Sequence, residues 1–334
     1  MSEKDLKNNE PQVVEEFEEE KLEEEKLEQP ESDLRQEVAF DDTAVVSRGK
    51  RHMGMKAKTR AANITIYVIL VIMSAVWLVP FIFIVLQSFR CESTYLTGYV
   101  IPKQWGFDNY ARLFTETKFP RWFLNTFIIS VVAAVIQLIM VLCMSYTLSR
   151  LRFKGRKALM NAMLILGMFP GMLTMIVLYR ILADAGMTQG NSIAGLILVY
   201  VASSGMGYYV SKGFFDTIPK SLDEAARVDG ANRAQVLYKI ILPLSKPIVI
   251  YTLLTAFMGP WGDYVFASYV AFNVSDGYNV AVGLQWLIST PSNIAANYTI
   301  FCAGGVIVAI PITLLFMFLQ KYYVEGVTGG AVKG

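Results

Sequence analysis

SLDEAARVDGANRAQVLYKIILP, residues 221–243, is a sizeable polar island between two long apolar segments in the second half of the chain. Ser221-x-x-Glu224 has the spacing of a capping box, in which a hydroxyl and a carboxylate satisfy opposing orphan N–H groups at a helix start. Pro219 just before it suits a helix entry. Ala225 and Ala226 favour helix and are small enough for another protein surface to approach closely. Gly230 permits the positive φ that ends a first helix. Residues 231–241 then suit a second helix, which Pro243 is expected to end. Taken alone, the capping box fits any amphipathic loop between two membrane spans.

Moving outward, the flanking sequence has membrane character. Of 334 residues, 54% are hydrophobic and 17% charged, against about a quarter charged in a soluble protein, and mean hydropathy is +0.41. The net charge of +2 conceals a division. Residues 1–47 hold 17 acidic and 5 basic side chains, leaving 11 acidic and 25 basic in the remainder. Such a dense acidic block repels itself and has little apolar surface to bury, so a disordered tail is expected there. The basic surplus clusters beside apolar runs, as it does in cytoplasmic loops near anionic lipid. No cleavable signal peptide is expected from the acidic start.

Six apolar runs are long enough to cross a bilayer core of about 20 residues. The first is 64–89, and the others are 123–148, 159–182, 193–215, 248–272 and 298–319. Gly167, Pro170 and Gly171 predict a kink in the third, and Gly259-Pro260 an interruption in the fifth. Basic residues around 48–60, 150–157, 212–246 and 321 place both termini and the polar island in the cytoplasm. The 90–121 segment is aromatic and polar and is expected outside, although it carries a few basic residues; 273–296 has no Lys or Arg. The expected fold is an all-α integral membrane protein of six transmembrane helices in a bacterial plasma membrane. Its parts are a tail with a basic collar (1–60), a first span and outer loop (61–120), a core (121–320) containing a loop at 216–247, and a C-terminal tail (321–334).

Catalytic chemistry has no residues to carry it. His52 is the single histidine, the three cysteines are far apart, and neither a nucleophile–base set nor a metal-ligand set is visible. No phosphate-binding GxxxxGK[ST] occurs, so any ATP hydrolysis belongs to another chain. The spans are almost free of charge, which suits a neutral solute and an energy source outside the chain. Nothing indicates nucleic-acid binding.

The full spacing of the island is Glu224-Ala225-Ala226, three residues, Gly230, nine residues, Ile240, one residue, Leu242-Pro243. It resembles the EAA loop of binding-protein-dependent ABC importer permeases, whose fold is the type I importer permease fold. Tyr278–Gln285, Glu325–Gly334 and Trp261-Gly262-Asp263-Tyr264 resemble the last outer loop, tail and fifth-span motif of maltose/maltodextrin permeases, with Gly262 in place of the usual Asn. The resemblance implies that Ser221, Glu224, Ala225, Ala226, Asp229, Gly230, Leu242 and Pro243 form a coupling helix seated in an ATPase cleft. It also implies that Val332, Lys333 and Gly334 reach the ATPase interface. The implied partners are membrane lipid, a second homologous permease in a heterodimer, an ATPase dimer that binds ATP and Mg, and an extracellular sugar-binding protein. The implied cargo is a maltodextrin or another glycan such as a galacto-oligosaccharide. Asp263 is either a pathway residue or a residue at the outer headgroup edge. Trp261 and Tyr264 either stack on sugar or sit in an aromatic belt.

Overall fold

A computed structural model describes residues 55–92, 99–203 and 205–328. The acidic block 1–47 and the tail residues Val332, Lys333 and Gly334 lie outside them. The chain divides into a first unit ending at Val68, of which the opening turns of one helix are described, and a second unit, Ile69–Gly334, which holds the bundle.

Among the described residues the secondary structure is helical apart from one isolated bridge between Arg90 and Trp105. Helix α1 spans Met55–Ser88 and α2 Asp108–Thr115. Helix α3 spans Phe119–Arg150, followed by α4, Arg156–Gly167, and α5, Gly171–Asp184. Next come α6, Ser192–Ala202, α7, Gly205–Asp216, and α8, Ser221–Val228. Helix α9 is Arg233–Leu244, α10 Lys246–Gly262 and α11 Val265–Ala271. The chain finishes with α12, Val280–Leu287, and α13, Pro291–Thr328.

Among the described residues, four stretches are long and apolar enough to cross a membrane: Asn63–Ser88, Phe119–Arg150, Gln189–Asp216 and Pro291–Lys321. Two bent pairs raise the number to as many as six, α4 with α5 at 101° and α9 with α10 at 87°. The kink expected at Gly167–Gly171 is therefore a full break. Pro170 cannot donate an N–H, and the residue before a proline is pushed away from helical backbone. The expected interruption at Gly259-Pro260 is not there, because α10 runs through Pro260 to Gly262. The break falls at Asp263, whose Oδ1 accepts the Phe266 N–H at 3.0 Å. Asp263 itself is in extended backbone, φ −80° and ψ 98°, and its carboxylate satisfies one of the orphan N–H groups at the start of the next helix.

Helix α3 is the centre of the bundle and packs on α6, α7 and α10, while α10 also packs on α13. Small buried residues along it, Thr126, Ser130, Ala133, Ala134, Ser145 and Ser149, let the neighbouring backbones come close. At its N-terminal end it grips the 275–280 segment. Trp122 Nε1 donates to Ser275 O at 2.9 Å, and Asn125 Nδ2 donates to Asp276 O and Tyr278 O at 2.8 and 2.9 Å. Val280 N donates to Thr126 Oγ1 at 2.7 Å, and Asn279 Oδ1 caps α12 by accepting from Val282 N. Gly283 is required by close approach, because a Cβ there would lie 2.1 Å from the Trp122 ring. At the exposed rim Lys118 Nζ donates to Asp276 Oδ1 at 2.8 Å, which holds that carboxyl below its ordinary range.

Candidate functional site in the polar loop

The polar island folds as two short helices at the foot of α3 and α7. Helix α7 ends at Asp216, whose carboxylate accepts from Ser149 Oγ at 2.6 Å and pairs with Lys212. A turn through Ile218 and Pro219 leads into α8.

Ser221 does not cap that helix. The cap position is Lys220, already in helical backbone at φ −68°, ψ −21°, and no side chain caps it. The Glu224 N–H bonds to Lys220 O at 3.1 Å and the Leu222 N–H to Pro219 O at 3.4 Å. The preceding turn thus supplies acceptors that a serine hydroxyl would otherwise provide. A capping box does occur one helix later, where Asn232 Oδ1 accepts from Gln235 N and Gln235 Oε1 accepts from Asn232 N.

The end of α8 follows its sequence. Gly230 has φ +83°, Gly230 N donates to Arg227 O at 3.0 Å, and Ala231 N donates to Ala226 O at 2.9 Å. Those two bonds form a Schellman motif, which needs a left-handed residue where the glycine stands. Helix α9 starts at Arg233 and passes Pro243, ending at Leu244, three residues beyond the expected 231–241. The chain accommodates the proline by widening into a π turn over Leu237–Ile241, directly before it. The direction changes by 87° at Ser245, so Leu242 and Pro243 form the last turn before α10.

Burial assigns faces to α8. Asp223 and Ala226 point into the bundle, and Ala226 packs in a cluster with Tyr146, Phe215, Ile218 and Val236. Glu224, Ala225, Asp229 and Gly230 are exposed, with Leu222 and Val228 beside them; Val228 is 88% exposed. Only one of the two alanines, Ala225, therefore offers a small outward surface, while the smallness of Ala226 serves internal packing. The anchor that fixes this orientation is a buried ion pair. Arg150 Nε lies 3.0 Å from Asp223 Oδ2, with side-chain exposures of 1% and 6%, and Arg150 Nη2 donates to Ile218 O at 2.9 Å. Sequence reasoning placed Arg150 only in a basic cluster and passed over Asp223. The available signal was spacing, since Asp223 stands three residues before Ala226 on one helical face.

The second candidate set lies elsewhere. Trp261 is buried in the core, and Tyr264 is 45% exposed. Asp263 is half-buried: besides capping Phe266, its Oδ2 accepts the Tyr200 hydroxyl at 2.6 Å, and its carbonyl accepts Asn279 Nδ2 at 2.7 Å. The structure brings Asp263 together with Asn279, which lies in the 278–285 stretch that carries the family resemblance, and with Tyr200, which the sequence did not single out.

The chain belongs to the family described as binding-protein-dependent transport system inner membrane component, whose profile matches residues 142–329, and it is a multi-pass membrane protein. Among its relatives, the maltodextrin transport system permease protein MalD of Streptococcus pneumoniae is 34% identical over 281 residues, covering 84% of this chain and 99% of that protein. The galactooligosaccharides transport system permease protein GanQ of Bacillus subtilis is 34% identical over 284 residues, with the same coverage. A chain from the crystal structure of a bacterial ABC transporter that imports alginate shares the fold, with a TM-score of 0.67 at 24% identity over 80% of this chain and 98% of that one.

Proposed function

We propose that this chain is one of two permease subunits of an ATP-driven importer that moves an oligosaccharide across the plasma membrane by alternating access. The observation that carries the reading is α8, held to α3 by the Arg150–Asp223 pair and packed through Ala226 in one cluster with Phe215 of α7, while its Leu222, Glu224, Ala225 and Val228 side chains stay exposed. A short helix fixed on one side and open on the other can pass a push from a docked ATPase to the spans. In this reading α10 and α11 form the fifth of six spans, both termini are cytoplasmic, and Val332–Gly334 reach the ATPase. ATP and Mg are bound by the ATPase dimer, and an extracellular binding protein delivers the sugar. ATP then shifts the permease equilibrium by binding one state better than the other. The apolar side chains left exposed on α1, α4 and α5, Trp77 and Met172 among them, face lipid or the second permease.

A maltodextrin is the proposed cargo, from the likeness to MalD. Equal identity to GanQ supports a galacto-oligosaccharide as the second reading. Uptake of labelled sugars by a deletion strain separates them. Maltodextrin uptake should fall to background and return with the gene; unchanged maltodextrin uptake with lost galacto-oligosaccharide uptake overturns the first reading.

A further inference from the structure

A cleft of about 450 Å³ opens between the first turn of α8 and the end of α3. Arg150, Arg152, Lys220, Arg227 and Arg233 bring five positive charges to its lining, against two negative charges from Asp223 and Glu224. Asp223 is already committed to Arg150. The Arg150 side chain is 99% buried and its Nη1 has no hydrogen-bond partner, nor has the buried Asp223 Oδ1. A buried guanidinium N–H without an acceptor is costly and demands one. Arg152, Lys220, Arg227 and Arg233 are exposed around it, Arg227 already interacting with Tyr146.

We infer that this cleft binds a phosphate group. Guanidinium groups present paired N–H donors that match phosphate oxygens, and the N-terminus of α8 adds a favourable dipole. Helix α3 has 32 residues, about 48 Å at 1.5 Å per residue, against a hydrocarbon core of about 30 Å. Its last residue, Arg150, therefore stands at headgroup level or just beyond, within reach of an anionic phospholipid as well as of free phosphate. A bound phosphate would tie α8 to the end of α3. Binding itself stands without the coupling assignment; any influence on transport rests on it.

The test uses the full chain in phosphatidylcholine nanodiscs with and without phosphatidylglycerol, read by native mass spectrometry, with inorganic phosphate titrated into the phosphatidylcholine discs. The variant is Arg152→Gln with Arg233→Gln, both exposed, so that the Arg150–Asp223 pair stays intact. Retention of phosphatidylglycerol, about tenfold weaker in the variant, supports the site with lipid as its source. Binding of inorganic phosphate that weakens similarly, with no preference for phosphatidylglycerol, supports the site with a free anion as its source. Equal binding of both probes by wild type and variant overturns it. So does protection of Arg152 from arginine-modifying reagent by the ATPase alone, with neither probe bound. Normal phosphate binding in a chain whose α8 variants transport normally would reject the coupling reading and leave this one standing.

Discussion

At the residue scale, Gly230 and the Arg150–Asp223 pair carry the loop. No atom lies within 4 Å of a Cβ built on Gly230, so the demand there is conformational and not steric. Gly230→Ala should cost about 1–2 kcal/mol through its left-handed backbone. Gly230→Asn should cost less, since Asn tolerates that region. Thermal melts of the purified subunit check the order, and equal costs would remove the turn argument. The ion pair makes a different forecast. Arg150→Met strands a buried carboxylate and should destabilise by about 3–5 kcal/mol, whereas Arg150→Met with Asp223→Leu should recover most of the loss. A double variant no more stable than the single one would mean the two charges are not coupled.

Elements are held at the far end of the bundle by close packing and a polar clasp. Gly283→Ala drives a methyl into the buried Trp122 ring and should cost about 1–3 kcal/mol. Gly304→Ala meets only the end of the Leu284 side chain and should be milder, because that chain can rotate away. Melting the two variants side by side tests this, and a larger loss at Gly304 would contradict it. The α10–α11 break is set by Asp263. Asp263→Ala removes a cap and leaves Tyr200 without its acceptor, so a loss of about 1–3 kcal/mol is expected. Asp263→Asn should retain much of that stability, since its side-chain oxygen can still accept from Phe266 N–H; equal damage from both variants would require a role for the charge itself.

For the whole molecule, the membrane character and most span positions were legible, because apolar runs flanked by Lys and Arg report directly on the solvent. The hinge of the loop was legible too, since Gly230 has few conformational alternatives. What escaped were contacts between distant segments. Nothing local says that Asp223 meets Arg150, that the turn before α8 makes Ser221 unnecessary as a cap, or that the break falls at Asp263 and not at Pro260. Short helices α2 and α12 were read as outer loop because eight residues carry little periodic signal. The stretch at 278–285 was informative about kinship, yet Tyr278, Asn279, Val280 and Gly283 are buried packing residues. It therefore reports a shared architecture more directly than a shared sugar.

The central claim is that the exposed face of α8 receives the ATPase. Ala225 is the outward-facing alanine of α8, so Ala225→Trp fills the docking surface without touching the packing around Ala226. In a reconstituted transporter this variant should insert and melt like wild type, lose ATP-driven sugar uptake, and retain less ATPase subunit on purification. Wild-type uptake with full retention of the ATPase would contradict the account.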